Sequence, residues 1–81
     1  MMKINLVAFG IARDILGVSK TDFHLADDNT ISALKEQLIK RHAKFADLTS
    51  ISFAVNEEYK EDDYLLNDDD EVVIIPPVSG G

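Results

Sequence analysis

At 81 residues the chain makes one domain, small enough to bury only about 60 to 65% of its unfolded surface, which leaves no room for a deep catalytic cleft of its own. Hydrophobic residues at 46% and charged residues at 28% describe a folded globule and not a disordered chain. The net charge of -7 argues against nucleic-acid phosphates and anionic membranes as partners, and the lack of cysteine excludes disulfides, zinc-thiolate sites and thiol catalysis.

From Lys3 to Phe9 the side chains alternate, predicting a strand with Ile4, Leu6 and Ala8 on one face and Asn5, Val7 and Phe9 on an unusually apolar second face. The same opening stretch faintly imitates a secretory signal. Asn5 interrupts its apolar run and Arg13-Asp14 follow at once, however, and no run nears the roughly 20 apolar residues of a membrane helix, so a cytoplasmic protein is expected. Ile11 to Leu16 predicts a short helix that pairs Ile11 with Ile15 and Ala12 with Leu16, with Gly17 as a left-handed C-cap. Lys20 to Leu25 resumes the strand pattern, completing a hairpin-like first unit.

After the turn residues Asp27-Asp28-Asn29, Thr30 is a good N-cap for a helix with apolar positions Ile31, Leu34 and Leu38, running to about His42. Ile51, Phe53 and Val55 alternate with polar or small residues as a third strand. The acidic stretch that follows, holding Tyr59, Tyr64, Leu65 and Leu66, reads as an irregular connection with room for one short strand. Asn67-Asp68-Asp69-Asp70 is turn chemistry. Glu71 to Ile75 is β-branched without polar interruption, predicting a central strand covered on both faces, and Pro76 and Pro77 end it because proline cannot donate to a ladder.

These elements assemble into an α+β roll over residues 1–75, a sheet with its last strand central and one main helix across one face, followed by an extended tail over residues 76–81. If the first and last strands are neighbours, Phe9, Val7, Val73 and Ile75 share the other face. They form either an exposed apolar patch of the kind that marks a partner site, or a surface covered by the short helix or a loop.

Internal chemistry is scarce. His24 and His42 fall on different elements without metal-ligand spacing, and Asp68 to Glu71 lacks the central glycine and bidentate glutamate of a calcium loop. No glycine-rich phosphate loop or nucleophile elbow appears, and Ser79 has no evident base. Glu57, Glu58, Glu61, Asp62 and Asp63 form either a solvated face or a surface that orients a basic partner. The tail is different. Gly80 and Gly81 lack Cβ and can pass through a narrow channel, Val78 and Ser79 are small, and Pro76-Pro77 favour an extended exit. A stiff base with a slim tip suits delivery of the Gly81 carboxylate into another protein's active site. A carboxylate becomes reactive only once activated, for example by adenylation, and this chain has no nucleotide site to do it.

Phe9 to Asp14 after the first strand, Ala54-Val55-Asn56 at the third, and above all DDDEVVIIPPVSGG from Asp68 to Gly81 carry a resemblance that extends over the whole chain. It resembles the small sulfur-carrier subunits of molybdopterin synthases, β-grasp proteins of the ubiquitin-like superfamily with a mixed sheet. The resemblance implies that a ubiquitin-activating-like adenylyltransferase, using ATP and Mg, adenylates Gly81, and that a sulfur donor protein converts it to a thiocarboxylate. The tail then enters the large synthase subunit and gives its sulfur to a pyranopterin, building the dithiolene of molybdopterin within a heterotetramer.

By the same resemblance Gly80 admits the carrier glycine to the partner pocket. Phe9, Val73 and Ile75 form a docking face with Arg13 at its rim, and Pro76, Pro77, Val78 and Ser79 contact the partner as the tail enters it. The chain itself binds no cofactor or metal. One departure is visible: Asp69 stands where the family has a turn glycine. A carrier for thiazole synthesis, a ubiquitin-like modifier forming isopeptide bonds, and an acidic interaction domain with an inert tail are the competing readings.

Overall fold

The computed structural model describes residues 2–25, 28–48 and 51–76. Strand β1 (Met2–Ala8) leads into helix α1 (Gly10–Leu16), β2 (Lys20–Leu25), helix α2 (Ile31–Arg41) and a 3-10 turn over Ala43–Asp47. Strands β3 (Ser52–Val55), β4 (Glu58–Lys60) and β5 (Glu71–Ile75) follow. They form one sheet of order β2-β1-β5-β3-β4, in which β5 lies parallel to β1 and every other pair is antiparallel. The last strand is central, as its β-branched sequence predicts. A parallel pairing of the first and last strands needs a long crossover, and α2 lies on that path.

Thr30 caps α2 as expected: its hydroxyl accepts from the Ala33 N–H at 3.1 Å, while Asp28 Oδ1 accepts the Thr30 N–H at 3.0 Å. Lys40 and Arg41 in the last turn favour the negative end of the helix dipole. Ile31, Leu34 and Leu38 project from α2 onto Ile4, Leu6, Phe23, Phe53, Val72 and Ile74 of the sheet to make one core cluster. Burying each such side chain is worth about 1.5 to 3 kcal/mol, so this face holds the domain together.

Several boundaries differ from the expectations. β1 ends at Ala8, because Gly10 at φ +55 turns the chain and leaves Phe9 as the N-cap of α1, its carbonyl accepting the Ala12 N–H at 3.1 Å. α1 starts at Gly10 and closes on Gly17 at φ +88, whose N–H donates to the Arg13 carbonyl at 2.7 Å. Ile51 is buried but precedes β3.

The connection after β3 does hold a short strand, β4, joined by a two-residue turn with positive φ at both Asn56 and Glu57. That is the mirror-image turn that matches strand twist, built here without glycine. The 3-10 turn, unforeseen, buries Phe45 in the core. No helix among the described residues is long and apolar enough to cross a membrane.

Candidate functional site

The alternation that sends Ile4, Leu6, Val72 and Ile74 inward sends their neighbours to the opposite face. There the register aligns Lys20, Val7, Val73, Ala54 and Tyr59 in one row across all five strands. Ile75 and Ser52 pair in the next row toward the end of β5. Val7 and Ala54 are buried, Val73, Ile75 and Pro76 are half-buried, and Tyr59 is 71% exposed.

α1 does not cover this face: Ala12 belongs to the core cluster, with Ile15 and Leu16 packed against it, so the helix lies on the core side. Among the described residues no other element packs there either. The apolar row is therefore only partly open: Val7 and Ala54 are buried among their neighbours, Val73 and Ile75 are half-buried, and Tyr59 is its exposed end. α1 does not supply the outer cover expected for β5, because Ala12 draws the helix to the core side.

Phe9, 59% exposed, follows Ala8, which pairs with Ile74; this puts Phe9 at the same end of the sheet as Ile75 and Pro76, where the chain leaves β5. Arg13 is exposed on α1, one turn after Phe9. Of the residues singled out from sequence, the structure thus brings Val73 and Ile75 to one face of the sheet and sets Phe9 and Pro76 at the same end of it, with Arg13 nearby in the chain. Pro77, Val78, Ser79, Gly80 and Gly81 lie outside the described residues. Sequence reasoning missed Ala54 and Tyr59. The alternation Ala54, Asn56 could have flagged the first, but Tyr59 joins the row only through the Asn56-Glu57 turn.

Behind the tail exit the loop before β5 is pinned by a polar cluster. Asp70, 8% exposed, accepts from the Asn56 side-chain amide (Oδ1, 3.0 Å) and from the Asn67 N–H (Oδ2, 2.8 Å). Asn56 Oδ1 in turn accepts the Glu71 N–H at 3.1 Å. Two side chains, Asn56 and Asp70, so tie the β3–β4 turn to the start of β5, satisfying groups that burial would otherwise penalise by about 1 to 3 kcal/mol each.

Asp69 takes φ +68, a left-handed conformation that glycine adopts freely and aspartate tolerates. Its N–H donates to the Lys3 carbonyl at 2.8 Å and its carboxylate pairs with the Lys3 ammonium at 3.2 Å. Hydrogen bonding to Asp69, with added attraction from Asp22, holds the exposed Lys3 protonated above the ordinary lysine range. The substitution thus keeps the turn and adds a tether to β1.

Of the two histidines, only His24 lies on this face, exposed two rows from Val7. His24 lies on edge strand β2 opposite Lys3, and His42 caps α2 with its ring edge-on to Phe45 at 6.1 Å. Among the described residues no group of three histidine or carboxylate side chains is placed to hold a metal.

A mixed five-stranded sheet folded over one main helix, with the C-terminal strand central and parallel to the first, is the β-grasp arrangement of ubiquitin-like proteins. The chain belongs to the ThiS family, which matches residues 6–81. It is 39% identical over 83 residues to the molybdopterin synthase sulfur carrier subunit of Chlamydomonas reinhardtii, covering 99% of this chain and 100% of the relative. Among solved structures, the Pyrococcus furiosus protein assigned as molybdopterin converting factor subunit 1 superposes with a TM-score of 0.87 at 29% identity, covering 96% of this chain and all of that one. A chain from the complex of subunits 1 and 2 of molybdopterin-converting factor of Helicobacter pylori shares the fold, with a TM-score of 0.68 at 22% identity over 99% and 100% of the two chains.

Proposed function

We propose that this chain is a sulfur carrier of molybdenum cofactor biosynthesis, the small subunit of a molybdopterin synthase, with sulfur carried as a thiocarboxylate on Gly81. The observation that carries this reading is end-to-end similarity to a molybdopterin synthase sulfur carrier subunit, with a family match running through Gly81. An adenylyltransferase partner, using ATP and Mg, joins the carboxylate to AMP and releases pyrophosphate. A persulfide on a sulfur donor protein then displaces AMP to give an acyl disulfide, and a thiol cleaves its S–S bond, releasing the Gly81 thiocarboxylate and leaving the donor and thiol as a disulfide. In the large synthase subunit the thiocarboxylate sulfur attacks a carbon of the pyranopterin precursor and displaces the oxygen substituent there, and hydrolysis of the resulting thioester returns the Gly81 carboxylate and leaves the sulfur on the pterin.

The partly open apolar row supports the docking half of the proposal. Val7, Val73, Ala54 and Tyr59, continued by Ile75 and Pro76, lead along β5 toward the tail, so a protein seated on the row sits where it can receive the chain end. Phe9 and Arg13 border the same end. Having no cysteine, the chain cannot hold sulfur as a persulfide, which leaves its terminal carboxylate as the carrier.

Alkylation of the protein purified from cells active in cofactor synthesis, followed by fragmentation mass spectrometry, tests the reading. A label localised to Gly81 is expected, since the chain offers no ordinary thiol. An unlabelled C-terminus in the presence of a competent activating enzyme and sulfur donor would overturn it.

A further inference from the structure

Next to the apolar row, a groove of about 400 Å³ runs over β2, β1 and β5, lined by Asn5, Val7, Lys20, Asp22 and Glu71 among others. Asp22, Asn5 and Glu71 are direct cross-strand neighbours, so their side chains rise from one row, with roughly 5 Å between adjacent Cβ atoms. Asn5 spends its amide nitrogen on the Asp69 carbonyl at 3.2 Å, and its Oδ1 meets no donor among the described residues. Neither Asp22 nor Glu71 is in a close ion pair among the described residues, although Asp22 also attracts Lys3 at longer range. The row thus offers three hydrogen-bond acceptors, two of them charged. Lys20 stands one row away beside Val7, and Lys3, one row away on the other side, is held by Asp69.

We propose that this groove receives an arginine side chain of the protein that docks on the apolar row, and that Asp22, Asn5 and Glu71 determine specificity for it. The inference rests on the docking reading above and names the partner's chemistry. A guanidinium matches the row because it is planar, carries five donors and no acceptor, and binds carboxylates as a fork. Its methylene stem has Val7 to lie against, so charge recognition continues directly into apolar contact. The chain's net charge of -7 draws a basic surface toward this face before contact.

The test measures association of the full-length chain with the cognate large synthase subunit by stopped flow and calorimetry at low and high salt. Three variants are compared: the isosteric pair Asp22→Asn with Glu71→Gln, Lys20→Met, and Val73→Asp on the apolar row. The expected result is about tenfold weaker binding for the isosteric pair, chiefly from slower association with a flatter salt dependence, and unchanged or tighter binding for Lys20→Met. Binding of the isosteric pair within twofold of the parent, with unchanged salt dependence, while Val73→Asp abolishes the complex, would overturn the groove and keep the docking face. Normal binding by Val73→Asp would overturn the docking face, and the groove inference with it.

Discussion

The two faces of the sheet are built from the same strands by the same alternation, yet they do opposite jobs. The inner face carries Ile4, Leu6, Phe53, Val72 and Ile74, all buried under α2, and it sets the stability of the domain. The outer face carries an apolar row that no described element covers, flanked by an acceptor-lined groove. A domain of this size has little apolar surface to spare, so a row left half-buried with Tyr59 exposed at its end is surface that a partner can cover. The comparison also separates two kinds of defect: inner-face changes should unfold the protein, and outer-face changes should leave a folded protein that no longer works.

Removing Gly80 and Gly81 gives the largest expected effect, complete loss of sulfur transfer in a reconstituted synthase assay, while the melting temperature stays within about 1 °C of the parent because glycine has no side chain to bury. Retained transfer would break the assignment of the tail. Within the fold, Phe53→Ala should cost about 3 to 5 kcal/mol in urea unfolding, whereas Val73→Asp, on the adjacent strand but the other face, should cost only about 1 kcal/mol. Similar losses at both positions would mean that the outer face is structural after all.

Asp70→Ala falls between these. It strips the partners from the Asn67 N–H and the Asn56 amide and should destabilise by about 2 to 3 kcal/mol. Glu57→Gly acts in the other direction, since Glu57 sits at φ 76 in the β3–β4 turn, and should stabilise by about 0.5 to 1 kcal/mol in the same measurement. The smallest effect is the pH dependence of the Lys3 tether. Lys3 has a raised folded-state pKa, so its contribution is fully present below the ordinary lysine value of 10.5 and is lost as pH rises through the folded value. A shallow fall in melting temperature above that pH, absent in Lys3→Met, is the expected signature.

Much of this was legible in the residues. Thr30 followed by Ile31, Leu34 and Leu38 specifies α2 with its cap, because side chains at three- and four-residue spacing can only meet a sheet along one stripe. The run Val72 to Ile75 marks the central strand, and the prolines after it mark its end. Phe9 was read into β1, but the left-handed Gly10 turns it out as a cap. Asp70 looked like one more solvated turn carboxylate in an acidic run; its burial depends on Asn56, 14 residues earlier, reaching it through space. Phe45 lacks a periodic neighbourhood, and only the core it fills explains the 3-10 turn around it.

The candidate site divides in the same way. Local chemistry identified the slim Gly-Gly tip, its Pro-Pro base and the apolar alternation of β1 and β5, since each depends on residues adjacent in the chain. Tertiary structure alone decided what stands beside them. Cross-strand register put Tyr59 and Ala54 in line with Val73, and set Asp22 and Glu71 on either side of Asn5. Packing of Ala12 into the core kept α1 off the outer face. Alternation tells which side chains share a face of one strand, but which strands are neighbours, and what covers them, depends on long-range pairing that no single stretch of sequence encodes.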